Sequence, residues 1–143
     1  MKHELNTTTD LKQQSLTYHY NDFTENHYRK ILQHAIKNYK FRFFSNKLEN
    51  STFVLWRHDI DVSVHRALKI AKIEKEEGVK STFFVMLQSV FYNFLEIGVL
   101  DKLIQILEMG HQVGLHFDFE SKSINNQDTL DVLVIQEKQI LET

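Results

Sequence analysis

The chain has 143 residues, enough for one domain, and its 42% apolar and 25% charged residues exclude a disordered polymer. A formal net charge of −2 gives no electrostatic basis for nucleic acid or an acidic membrane as partner. Cysteine is absent, which excludes disulfides and thiolate metal sites.

The opening MKHELNTTTDLKQQSL has no apolar stretch of the signal-peptide kind, and no run of about 18 apolar residues occurs, so the expected compartment is the cytoplasm. Residues 1–16 are polar and aperiodic and read as a loose N-terminus, leaving 17–143 as the domain. Asp22 or Thr24 is placed to cap a helix through ENHYRKILQHAIKNY, where Tyr28, Ile31, Leu32, Ala35, Ile36 and Tyr39 recur at helical spacing. FRFFSNKLENST follows as an irregular connection with a short extended piece. TFVLWRHD then reads as a strand.

Ser63 is the natural cap of a second helix, which runs to about Glu77 with Val64, Ala67, Leu68, Ala71 and Ile73 on its apolar face. Gly78 ends it in a left-handed conformation. STFFVML is an uninterrupted apolar run, the pattern of a strand covered on both faces. Residues 89–98 form an aromatic loop, VLDKLIQILEMG a third helix closed by Gly110, HQVGLHFDF a third strand, and NQDTLDVLVIQEKQILET a last helix. Strands alternating with helices of this length predict an α/β fold with parallel strands.

The charges gather where such a fold binds ligands, at the carboxyl ends of the strands. Side-chain alternation puts Arg57, Asp59 and Asp61 on one face of their strand and His58 and Ile60 on the other. His116 and Asp118 share a face near the end of the third strand. Asp59, Asp61 and His116, with Asp118 as a further candidate, are therefore expected to converge. Carboxylates with an imidazole form a ligand set for zinc or another divalent cation, and an aspartate that is not a ligand is free to act as general base. Taken alone, an Asp-x-Asp pair is more often a solvated helix cap than a site, and a single His116 more often an interior hydrogen-bonded histidine than a ligand. Two such features, each at a strand exit, favour the site. His111 and His116 are five residues apart, face opposite ways and make poor co-ligands, and His65 reads as a surface residue of the second helix.

RHDID, STFFVML and MGHQVGLHFD, in that order, resemble the polysaccharide deacetylase family (the NodB-homology domain), and YNDFTENHYRKILQHAIKNYKF is similar to the lead-in helix of one bacterial branch. The resemblance spans about residues 17 to 142. It implies the N-terminal portion of an irregular (β/α) barrel and a metal-dependent hydrolase that removes acyl groups from glycans, acting on non-peptide C–N bonds of an acylated glycan or sugar precursor. Asp59 matches the general base, Asp61 the metal-binding aspartate, and His116 the first metal-binding histidine, with zinc the usual metal. Where the second metal histidine would fall the chain has Glu120, so Glu120 or Asp118 is the implied third ligand. The chain ends after the helix that follows the second motif, whereas family members continue. The expectation is a truncated or split member, with a partner chain or self-association completing the barrel and catalysis lost if it stays incomplete. Two other readings stand beside this one. DIDVS is similar to the Asp-x-Asp motif of haloacid-dehalogenase-type phosphatases, which use magnesium and a nucleophilic first Asp. The chain also reads as a non-catalytic remnant or as one subunit of a split protein.

Overall fold

A computed structural model describes residues 20–46, 51–118 and 127–142. Residues 1–16, expected to be loose, and Glu120 lie outside the described residues. A 3-10 turn, Tyr20–Phe23, leads into α1 (Glu25–Asn38). Of the two candidate caps Thr24 is the one used, its hydroxyl accepting from the His27 N–H at 3.2 Å. Then come β1 (Lys40–Arg42), β2 (Phe53–Leu55), β3 (Arg57–Ile60), α2 (Val64–Glu76), β4 (Thr82–Val85), α3 (Ile97–Glu108), β5 (Gln112–Leu115) and α4 (Gln127–Glu142). The class is α/β, and among the described residues the strands pair in parallel.

The strand expected over 52–59 is interrupted at Trp56, because the chain changes partner there. Up to Leu55 it pairs with β1, and from Arg57 onward it pairs with β4. The Trp56 carbonyl still accepts from the Thr82 N–H at 3.0 Å, so the ladder to β4 begins at the break itself. The result is a two-stranded sheet β1-β2 and a three-stranded sheet β3-β4-β5.

Both crossover helices lie on one face of the larger sheet. Ile60, Phe83 and Val85 project toward them and share a core with Val64, Ala67, Leu68 and Ala71 of α2 and Val99, Leu103 and Ile106 of α3. Removing this apolar surface from water is the main stabilising contribution, about 1.5–3 kcal/mol for each large side chain fully buried. β4 was expected to be covered on both faces, but the helices cover only one. On the other, Phe84 is half-buried against Phe44 and the Arg57 guanidinium. An apolar run reports an absence of polar side chains and does not identify what covers each face.

α1 docks on α2 through a second cluster of Leu32, Ile73 and Val79. Its rim is tied by Arg29, which donates to Glu76 and, at 3.0 Å, to Glu77. Gly78, at φ +74°, turns the chain out of α2 in the left-handed conformation expected of it. Among the described residues no helix is long and apolar enough to cross a membrane.

A polar network closes the amino-terminal end of the sheet. Glu74 of α2 is fully buried. Its Oε1 accepts from the Tyr28 hydroxyl at 2.5 Å and lies 2.6 Å from His58 Nε2, and its Oε2 accepts from the Ser81 hydroxyl at 2.5 Å. Burial alone would raise the Glu74 carboxyl, but the bonds from His58, Ser81 and Tyr28 outweigh it and hold the carboxyl below its ordinary range. Burial and the Glu74 charge push the Tyr28 phenol far up, so it remains a donor. His111, also buried, accepts at Nδ1 from the Ser81 N–H at 3.2 Å and donates from Nε2 to the Ala71 carbonyl at 3.1 Å. It is the interior, hydrogen-bonded histidine of the pair that spacing separated from His116.

Candidate functional site

The site is set by register. Asp59 pairs with Phe84 and Phe84 with Gly114, and Ile60, Val85 and Leu115 form the next row. The His116 N–H donates to the Val85 carbonyl at 2.9 Å, continuing the ladder one step. Asp61, Met86 and His116 thus stand level with one another just beyond the carboxyl ends of the three strands. β3 and β5 are not neighbours, because β4 runs between them. With strands about 4.8 Å apart, the backbones of Asp61 and His116 are separated by roughly 10 Å, and their side chains span the gap across Met86.

They do meet. His116 Nδ1 lies 3.3 Å from Asp61 Oδ1, and His116 Nε2 lies 3.9 Å from Asp59 Oδ2. The imidazole therefore has a carboxylate at each nitrogen, both from the strand two places away. Arg57 Nε donates to Asp59 Oδ1 at 2.6 Å, leaving Oδ2 toward the histidine. Such a set can place one imidazole nitrogen and one carboxylate beside a cation, with a second carboxylate close by.

The loop from β4 to α3 holds these ends in place. The Tyr92 hydroxyl donates to the Ile60 carbonyl at 2.7 Å and accepts from the Met86 N–H at 2.9 Å, bolting β3 to β4 directly below the site. Burial pushes its phenol up; the Met86 bond opposes this, and the Asp61 charge adds to the rise. Ser89 donates to the Asp61 carbonyl at 3.3 Å. The same loop carries Val90 and Phe91, both exposed, which with Asp61, Met86, His116 and Asp118 line an open cavity of about 320 Å³. Sequence reasoning described this loop only as aromatic. Tyr92 followed by Asn93 carries no local signal of a phenol that bridges two strand ends.

Whether the residues suit a divalent cation is decided by the donors. His116 Nδ1 is buried and has no hydrogen-bond partner, although it lies 3.3 Å from Asp61 Oδ1, so one imidazole nitrogen and one carboxylate oxygen stand face to face. Those two donors fit zinc. Among the described residues no group of three or more His, Asp or Glu side chains is arranged to hold a metal. Asp118 borders a small cleft together with His116 and the buried Glu137 of α4.

His58 turns to the opposite face, into the Glu74 network, and stacks on Phe83 with ring centroids 4.7 Å apart. His65 is exposed, as expected. Glu74 was missed altogether. Its one signal is position, because Ala67, Ala71 and Glu74 continue a single helical stripe in steps of four and three.

No protein-family model matches the chain, and no curated protein or solved structure matches it either.

Proposed function

We propose that the chain is a metal-dependent, carbohydrate-deacetylase-like hydrolase acting on an acylated glycan or sugar precursor in the cytoplasm. Asp59 is its general base, and Asp61 and His116 are two of the ligands of a divalent cation, zinc by the chemistry of the donors. One observation carries the reading. Asp59, Asp61 and His116, from two motifs more than fifty residues apart, come together at the carboxyl ends of parallel strands.

A bound cation would supply Lewis acidity, lowering the pKa of a water and polarising an acyl carbonyl. The rest is the work of side chains. Arg57 occupies Asp59 Oδ1 and leaves Oδ2 to take a proton. The open cavity beside Val90 and Phe91 offers an approach for the acyl group. The finer architecture, the N-terminal portion of a polysaccharide-deacetylase-type barrel, belongs to the same proposal, as does completion by a partner chain or a second copy. Among the described residues β5 pairs only with β4 and β3 only with β4, which leaves an edge on each side for such a partner.

The test is acetate release from an acetylated chito-oligosaccharide with zinc present. The wild type should release acetate, and Asp59→Asn should slow release on the order of 10²–10⁴-fold. Equal rates would remove Asp59 from the reaction, and no release by either protein would refute the reading. A phosphatase of the Asp-x-Asp kind ranks second because it gives His116 no part. Hydrolysis of an aryl phosphate with magnesium, without acetate release, would reverse the order. Failure of both assays would leave the non-catalytic subunit.

A further inference from the structure

The geometry points to Phe84 as a positioning residue that acts through Arg57 on the Asp59 carboxylate, with Gly114 as the gap that lets its ring lie in place. The inference rests on Asp59 being the acting carboxylate and concerns how this chain aims it.

Five residues form a continuous set on the sheet face that the helices leave uncovered. Phe84 is the register partner of both Asp59 and Gly114. The Arg57 guanidinium carbon lies 4.4 Å from the Phe84 ring centroid, and Arg57 Nε donates to Asp59 Oδ1 at 2.6 Å. On the β5 side, a Cβ built at Gly114 would lie 2.9 Å from one Phe84 ring carbon and 3.0 Å from another, closer than side chains pack. The ring occupies the space that any other residue at 114 would fill. Phe44 closes the stack edge-on, with centroids 5.4 Å apart and planes at 86°.

An exposed Arg–Asp pair two residues apart in a strand normally gains little, because a long side chain must surrender its rotamers to form it. Arg57 keeps about 45% of its side chain exposed, so burial does not fix it. The aromatic surface beneath it does. A guanidinium held over the face of a ring is restrained in position, where lysine would present only a rotating point charge. Its Nε then holds Oδ1 and leaves Oδ2 toward His116 Nε2, 3.9 Å away. Ring, guanidinium and carboxylate form a relay of orientation, with glycine as its seat.

The test follows the Arg57 Nε–Hε signal by nitrogen-15 NMR of the full chain, assigned by its disappearance in Arg57→Lys. In the wild type the signal should be displaced by the ring current and slow to exchange with water, and Phe84→Tyr should retain both properties. Phe84→Leu and Gly114→Ala should each move it to the position of an exposed arginine, with the backbone amides of the α2–α3 core unchanged. If Gly114→Ala does not fold, Phe84→Leu decides alone. An Arg57 signal unmoved in Phe84→Leu overturns the inference. In the acetate assay Phe84→Leu should lower kcat, by up to roughly 10²-fold, with KM unchanged, and Phe84→Tyr should restore it. A displaced Arg57 signal with kcat intact would overturn the step from Arg57 to Asp59. A wild type that releases no acetate refutes the deacetylase reading, while the spectrum still decides whether Phe84 positions Arg57.

Discussion

His58 and Asp59 are adjacent in the chain and serve opposite sides of the sheet. His58 Nε2 lies 2.6 Å from Glu74 in the interior, whereas Asp59 Oδ2 lies 3.9 Å from His116 at the rim. The alternation of a strand delivers this division, and it separates substitutions that should test stability from those that should test chemistry.

On the interior side, Glu74→Ala should be among the most damaging single changes. It would strand the Tyr28 and Ser81 hydroxyls and His58 without their common acceptor. Removing one partner from a buried ionic network costs about 3–5 kcal/mol, and urea denaturation would measure it. Glu74→Gln, which keeps an acceptor oxygen, should lose less. A loss below about 1 kcal/mol for the alanine variant would mean that the network is dispensable.

The same network makes the fold weak on the acid side. Burial holds the His111 imidazole below its usual 6.5, with the Glu74 charge and the Ala71 carbonyl opposing. As pH falls through 6.5 the unfolded chain takes up that proton first, so native stability declines. The depressed Glu74 carboxyl acts in the same direction at lower pH. Its contribution is complete above about 4.5 and is lost as pH falls through its folded value. Tm should therefore decrease steadily from pH 7 to pH 4 in a series of thermal melts. A Tm that rises on acidification would contradict both assignments.

At the rim, added zinc should raise Tm in the wild type and leave it unchanged in Asp61→Ala. A ligand confined to the native state stabilises it by about 2.7 kcal/mol at a hundredfold excess over Kd. Identical zinc responses in the two proteins would remove Asp61 from the metal site, whatever the activity.

Backbone geometry gives a further check. Gly78 sits at φ +74° in open space, with nothing within 4 Å of a Cβ placed there. Gly78→Ala should then cost only the left-handed backbone penalty, about 1–2 kcal/mol, with no steric component. A larger loss would indicate that the turn after α2 is packed more closely than its surroundings imply.

The helices, their caps and the parallel alternation were legible because each rests on local chemistry, such as Ser63 accepting from the Arg66 N–H at 3.3 Å to start α2. The face shared by Arg57, Asp59 and Asp61 was legible for the same reason, since period two needs no partner. What stayed hidden depends on neighbours remote in sequence. The placement of β4 between β3 and β5 is a choice of pairing that no spacing records. Trp56 interrupts its strand because the pairing partner changes, although its local sequence is extended and apolar. Glu74 lies in a run of charges with Glu76 and Glu77, and only the fold distinguishes the buried carboxylate from the two that receive Arg29.

Trp56 also provides a means of observation. It is the chain's only tryptophan. Its indole N–H donates to the Tyr28 hydroxyl of α1 at 2.9 Å, its ring packs on Phe41 of β1, and its carbonyl begins the ladder to β4. Fluorescence emission from this one ring therefore reports whether the lead-in helix and the two sheets have come together, with no label attached. Loosening of α1 would redden it while the far-ultraviolet dichroism of α2 and α3 stayed in place, so the order in which the parts assemble can be read optically from the native chain.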